Sequence, residues 1–168
     1  SIFNLARLNK YVESIQGDIL DYELLAKKID DIKPDIIFHA AAQPITTLAF
    51  DQPVKTFETN IMGTASVLDA LRKMDHECAL VSVTSDKSYY NKEWVWGYRE
   101  TDELGGKDPY SGSKSGAEMV LRSYYHTYFK NSAQKRIGVV RSGNILGGGD
   151  WGRNRIVPDC IRAWKANE

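Results

Sequence analysis

A chain of 168 residues suits one ordinary domain, and 42% hydrophobic residues is ample for a packed core. Its 22 basic and 22 acidic side chains cancel, which leaves no electrostatic case for nucleic acid or an anionic membrane surface as partner. No apolar run approaches the roughly 20 residues of a membrane span, and no secretory leader pattern is expected at the start. Cys78 and Cys160 lack CxxC spacing, so reduced thiols in a cytoplasmic protein are expected.

In chain order, Tyr11-Val12-Glu13-Ser14-Ile15 reads as a short strand. A helix over 22–32 follows, with Asp21 as its N-cap. Asp35 to His39 is a second strand, entered through Pro34. Residues 52–74 carry Val54, Phe57, Ile61, Ala65, Leu68 and Leu71 at helical spacing. Residues 78–84 form a third, buried strand, and 110–129 a second long helix. Ile137 to Arg141 is a fourth strand, a Gly-rich loop follows, and Pro158 belongs in the first turn of a last helix. Strands alternating with helices predict an α/β fold, a doubly wound parallel sheet.

Ligands of such sheets bind beyond the carboxyl ends of the strands. Four segments leave strands there: Gly17-Asp18, residues 39–43, Thr84 to Lys87, and Gly143 to Asp150. Ala40, Ala41 and Ala42 would let a flat cofactor approach the backbone, although a tight strand-to-helix connection explains them equally. Asp18 is placed to accept from an adenine amino group or to cap a turn. Tyr110 and Lys114 lie one helical turn apart on one face. An ammonium there favours phenolate, so the phenol can take a proton from a substrate hydroxyl. Tyr-x-x-x-Lys alone is a weak signal, which its place after the Thr84 strand strengthens. Gly147, Gly149 and Gly152 match Gly-x-Gly-x-x-Gly, but they come several residues after a strand and open no βαβ unit, so they are rejected as a dinucleotide fingerprint.

Several stretches together carry a resemblance: GDILD (17–21), HAAAQP (39–44), ETNIMGT (58–64), TSDKSY (84–89), WGYRETDELGGKDPYSGSK (96–114), RSGNILGGGDW (141–151) and RIVPDCIRA (155–163). The chain resembles the extended short-chain dehydrogenase/reductases, and among them the nucleotide-sugar 4,6-dehydratases. The resemblance implies NAD as a built-in redox cofactor contacted by Asp18, Ile19, Ala40, Ala41, Ala42, Tyr110 and Lys114. It also implies that Tyr110 deprotonates the sugar 4-hydroxyl as hydride leaves C4, that Lys114 supports the phenolate, and that Thr84 hydrogen-bonds the 4-oxygen. Asp86 would protonate the departing C6 hydroxyl and Lys87 would share in C5 proton removal, or only orient substrate. A basic Lys87 must be neutral in part of the cycle, which burial would promote. Hydride then returns to C6.

Related dTDP-glucose enzymes carry Asp-Glu where this chain has Asp86-Lys87, which favours CDP-glucose as substrate. Asn144, Arg153 and Arg155 resemble residues that hold the sugar and diphosphate; the two arginines equally read as solvated loop charges. Asn60 is expected to steady the site backbone from within its helix, and His39 to be a strand-end residue rather than a catalyst. Trp94, Trp96 and Tyr98 read as a pocket wall or as a packed surface loop. By the same likeness, the helices 52–74 and 110–129 would pair in a homodimer. Family members begin with a strand and Gly-rich phosphate loop that this stretch lacks. Residues 1–142 therefore read as the central part of an NAD-binding domain and 143–168 as the start of a substrate-binding region, and the segment alone is expected to be inactive. Another nucleotide-sugar epimerase or dehydratase, or a non-catalytic fragment, remains an alternative.

Overall fold

The computed structural model describes residues 2–152 and 154–167. It contains two compact units, one of residues 17–143 and one of residues 1–16 with 144–168.

In the larger unit, Asp21 caps helix α2, Tyr22–Ile32, by accepting from the Leu24 amide at 3.1 Å. Lys33 closes the helix in the left-handed region, φ 49°. Strand β1, Ile36–His39, follows. The expected helix over 52–74 is a composite. Pro53 starts α4, Pro53–Phe57, a single π turn spans Glu58–Met62, and α5 runs over Gly63–Lys73. A further helix, α3, Thr46–Asp51, precedes them. Strand β2 is Cys78–Val83. Helix α6, Pro109–Tyr124, is capped by Asp108, which accepts from the Ser111 amide at 3.0 Å, and it continues into a π turn at Tyr125–Phe129. Strand β3, Lys135–Val140, completes a parallel sheet in the order β1-β2-β3, with Ile36 opposite Ala79 and Cys78 opposite Lys135.

Register decides which side of the sheet is buried. Cys78 and Leu80 of β2, flanked by Ile37 and Ile137, face a core made by Ile29 of α2, Val67, Leu68, Ala70 and Leu71 of α5, and Leu121 of α6. The opposite side carries Ile36 and Phe38, and Phe38 is 71% exposed. Helix α6 approaches the π turn so closely that a Cβ on Gly116 would lie 2.4 Å from Ile61 Cδ1. Only glycine permits that distance.

The smaller unit holds a short helix α1, Ile2–Leu5, a 3-10 turn at Leu8–Lys10, and α7, Ile156–Ala166, with Pro158 as its third residue. The strand expected over Tyr11 to Ile15 does not form. Tyr11, Val12 and Ile15 are exposed, and strand preference comes from pairing and packing rather than from the backbone alone. With no neighbouring strand to complete a ladder, the apolar alternation has nothing to bury against. Among the described residues, no helix is long and apolar enough to cross a membrane.

Candidate active site

The end of β2 and the start of α6 meet. Beyond Val83 the parallel pairing continues for one more step: the Thr84 amide donates to the Val140 carbonyl at 2.8 Å and the Asp86 amide to the Ser142 carbonyl at 3.0 Å. Residues Asp86–Ser88 then form a 3-10 turn capped by Ser85, whose hydroxyl oxygen accepts from the Lys87 amide at 3.2 Å. The Ser115 hydroxyl reaches from α6 to the Ser88 carbonyl at 2.9 Å and pins the turn to the helix. Asp86 and Lys87 thus stand exposed on a turn whose base is fixed, while Tyr110 and Lys114 are buried on the adjacent helix.

Lys114 is 8% exposed, and burial lowers its pKa from the ordinary lysine range. Among the described residues it has no ion-pair partner. His39, the last residue of β1, is buried and its pKa is lowered to about 4, first by burial and then by the Lys114 charge. Its tautomer follows from its neighbours. The Thr64 hydroxyl spends its one proton on the Asn60 carbonyl at 2.7 Å, so the 2.9 Å contact to His39 Nε2 requires Nε2–H to donate to Thr64. His39 is therefore a neutral strand-end residue, as expected.

Asn60 lies on the π turn with its side chain 2% exposed. Its Oδ1 accepts from the Gln43 amide at 2.8 Å, and its Nδ2 donates to the Gln43 carbonyl and to the Ser113 hydroxyl. Ser113 in turn donates to the Tyr110 carbonyl at 2.7 Å. One side chain thus ties the loop after β1 to the first turn of α6. A π turn, with its extra residue, aims a polar side chain inward from an otherwise apolar helix face.

Thr84 behaves differently from the expectation that it would meet the sugar 4-oxygen. Its hydroxyl donates to Glu118 Oε1 at 2.8 Å and, more weakly, to the Val140 carbonyl at 3.3 Å. Glu118, 5% exposed, is gripped by Arg141: Nε lies 2.8 and 2.9 Å from the two carboxylate oxygens, and Nη2 also donates. That fork drives the guanidinium pKa upward. Arg141 also donates to the Glu100 carbonyl at 3.1 Å and lies 4.6 Å over the Tyr89 ring. Sequence reasoning missed Ser85, Glu118 and Arg141 as parts of this site. A signal existed for Glu118, since it stands four residues after Lys114 on the face that carries Tyr110 and Lys114.

Comparison with known proteins places this geometry. Residues 2–138 match the sequence profile of the GDP-mannose 4,6 dehydratase family. The chain belongs to that family. It is 45% identical, along its whole length, to CDP-glucose 4,6-dehydratase of Salmonella typhimurium, and it spans 48% of that relative. It is 31% identical to dTDP-glucose 4,6-dehydratase of Mycobacterium tuberculosis over 74% of the chain and 37% of the relative. The chain therefore spans about half or less of the length of these relatives. In fold it matches a crystallised double mutant of DesIV, the dTDP-glucose 4,6-dehydratase of Streptomyces venezuelae, solved with NAD and DAU bound. That match has a TM-score of 0.85 and 24% identity over 99% of this chain and 49% of the other. The three-stranded parallel sheet is Rossmann-like, as its alternating elements predict.

The remaining site candidates of this dehydratase-family chain fall into two groups. Near the sheet, Ala40 and Ala41 leave β1 exposed. Asp18 accepts from the Leu20 amide at 3.0 Å, which is a turn-forming contact, and Ile19 packs on the core and against Gly63. In the smaller unit, Asn144 is exposed and Arg155 Nε lies 3.4 Å from Asp150 Oδ2. Arg153 lies outside the described residues. The glycines 147, 149 and 152 sit in a loop that opens no helix until Ile156. Trp94, Trp96 and Tyr98 stack on one another and on Tyr89, with ring centroids 5.0 to 5.3 Å apart.

Proposed function

We propose that the chain carries the acid–base half of a nucleotide-sugar 4,6-dehydratase that converts CDP-glucose to its 4-keto-6-deoxy sugar and water with NAD. The observation that carries this reading is the fixed turn bearing Asp86 and Lys87, docked on the helix that buries Tyr110 and Lys114. Similarity along the whole chain to the Salmonella typhimurium enzyme supports it.

The residues present fit the nicotinamide-ribose half of the cofactor, because Lys114 offers a buried ammonium with no competing carboxylate partner and Ala40 and Ala41 leave the backbone open. When bound, NAD supplies hydride acceptance at C4 and hydride return at C6, so the reaction has no net oxidation. Tyr110 takes the proton of the 4-hydroxyl, and Lys114 holds the resulting phenolate by its charge. The 4-ketone acidifies C5. Lys87 is the candidate to receive that proton, and Asp86 gives one to the departing C6 hydroxyl, so water leaves. Lys87 is exposed on this chain, so the burial expected to make it neutral has to come with substrate. Ser85, beside Asp86, is better placed than Thr84 to face a sugar oxygen, because the Thr84 proton is committed to Glu118.

Arg153, Arg155 and Asn144 are proposed to hold the sugar nucleotide, and a homodimer is proposed through the helices 52–74 and 110–129. Val54, Met62, Met119 and Tyr128, all exposed on those helices, support such a pairing. A cytoplasmic setting is supported by the free thiols of Cys78 and Cys160. The test is product chemistry. CDP-glucose and NAD supplied to the longest form of the protein containing residues 1–168 should yield a 4-keto-6-deoxy sugar; an epimer, or product only from dTDP-glucose, would overturn the assignment.

A further inference from the structure

Glu118 follows Lys114 by four residues and Tyr110 by eight, so three ionisable groups stack along one buried face of α6. An acid and an amine at that spacing are natural ion-pair partners. They do not pair. The Glu118 carboxylate accepts the Thr84 hydroxyl proton on Oε1 and the Arg141 fork on both oxygens. Thr84 ends the run out of β2, and Arg141 stands just past β3. These contacts draw the carboxylate toward the ends of the sheet and match its charge with a guanidinium. Lys114, one turn away, is left without a carboxylate among the described residues.

We propose that Arg141 and Thr84 are positioning residues for the Tyr110–Lys114 pair: by holding Glu118 against the strand ends, they keep its charge from Lys114 and leave the ammonium to the phenol. Neither side chain touches the reacting atoms. The catalytic meaning rests on the reading of Tyr110 as the base, but the electrostatic arrangement stands apart from any substrate. Other charged groups on the elements packed against this face are His39 at the end of β1, Asp86 and Lys87 on the turn after β2, and Asp108 at the cap of α6. Lys55 and Glu58, on α4 and its π turn, are exposed. None of these changes in the variants below, so a shift reports the pair.

The experiment is titration of Tyr110 by carbon-13 NMR of labelled tyrosine, its signal assigned by loss in Y110F. In R141M the released Glu118 charge turns to Lys114, and the Tyr110 titration should move up by about half to one pH unit. In E118Q the Arg141 charge is unbalanced, and the titration should move down. E118Q/R141M, neutral on both sides, should return to the parent value. A residue pair that only braces the fold would move both single variants the same way or not at all, and either result overturns the proposal. Should R141M not fold, the comparison of E118Q with the double variant decides, since a downward shift that the double variant fails to remove is equally fatal. Absence of CDP-glucose turnover with the opposed shifts intact would remove the dehydratase reading and leave this one standing.

Discussion

The two regions assigned to substrate chemistry are built on different principles. Around residues 84–118, each polar group is anchored by the interior: Thr84 to Glu118, Ser113 to Asn60 and Tyr110, Ser115 to Ser88. Around residues 144–155, the side chains are exposed, and the ion pair between Arg155 and Asp150 is long and solvent-facing. Proton transfer tolerates little positional error, so its groups are held before substrate arrives. Binding a flexible diphosphate asks only for mobile positive charge, which an open loop supplies.

That contrast can be broken in four ways. Tyr110→Phe should cut turnover by about 10²- to 10⁴-fold, whereas Arg155→Ala should raise KM and leave kcat nearly unchanged; steady-state kinetics with CDP-glucose separates them, and equal losses in kcat would end the distinction. Arg141→Met strands the buried Glu118 charge and should cost about 3–5 kcal/mol of stability in a urea titration. Acid should expose the same rigidity. Unfolded His39 binds a proton below pH 6.5, while in the folded chain it does so only near 4. Between those values the unfolded state holds more protons, so stability falls as pH drops, by about 3 kcal/mol across the window. His39→Asn should flatten that part of the urea-midpoint profile. Smallest of all, Asp150→Asn should alter stability by only about 0–1 kcal/mol, and a larger loss would mean that the 144–155 loop is braced after all.

Much of the larger unit was legible because its signals are local. The Asp21 cap and the period of 22–32 needed only neighbouring residues, and the apolar runs at 36–39 and 78–83 are buried strands of a parallel sheet. The strand over 11–15 failed because a strand is a relation between segments, and no partner is present to complete it. The π turns were invisible because their extra residue leaves the apolar period nearly intact. Thr84 and Ser85 are adjacent hydroxyls that sequence treats alike; only the Glu118 carboxylate, 34 positions away, distinguishes them. Glu118 and Arg141 went unassigned for a related reason, since each is ordinary in its own segment and acquires a role only when α6 lies across the end of β3.

The π turn at Glu58–Met62 makes chain length itself a constraint. Removing one residue there would restore ordinary helical spacing and rotate everything downstream by about 100°. Val67, Leu68 and Leu71 would leave the core together, and Asn60 would no longer meet Gln43 and Ser113. Substitutions on the outer surface of this helix are ordinary changes; a single-codon deletion within it would dismantle both the packing and the site in one event.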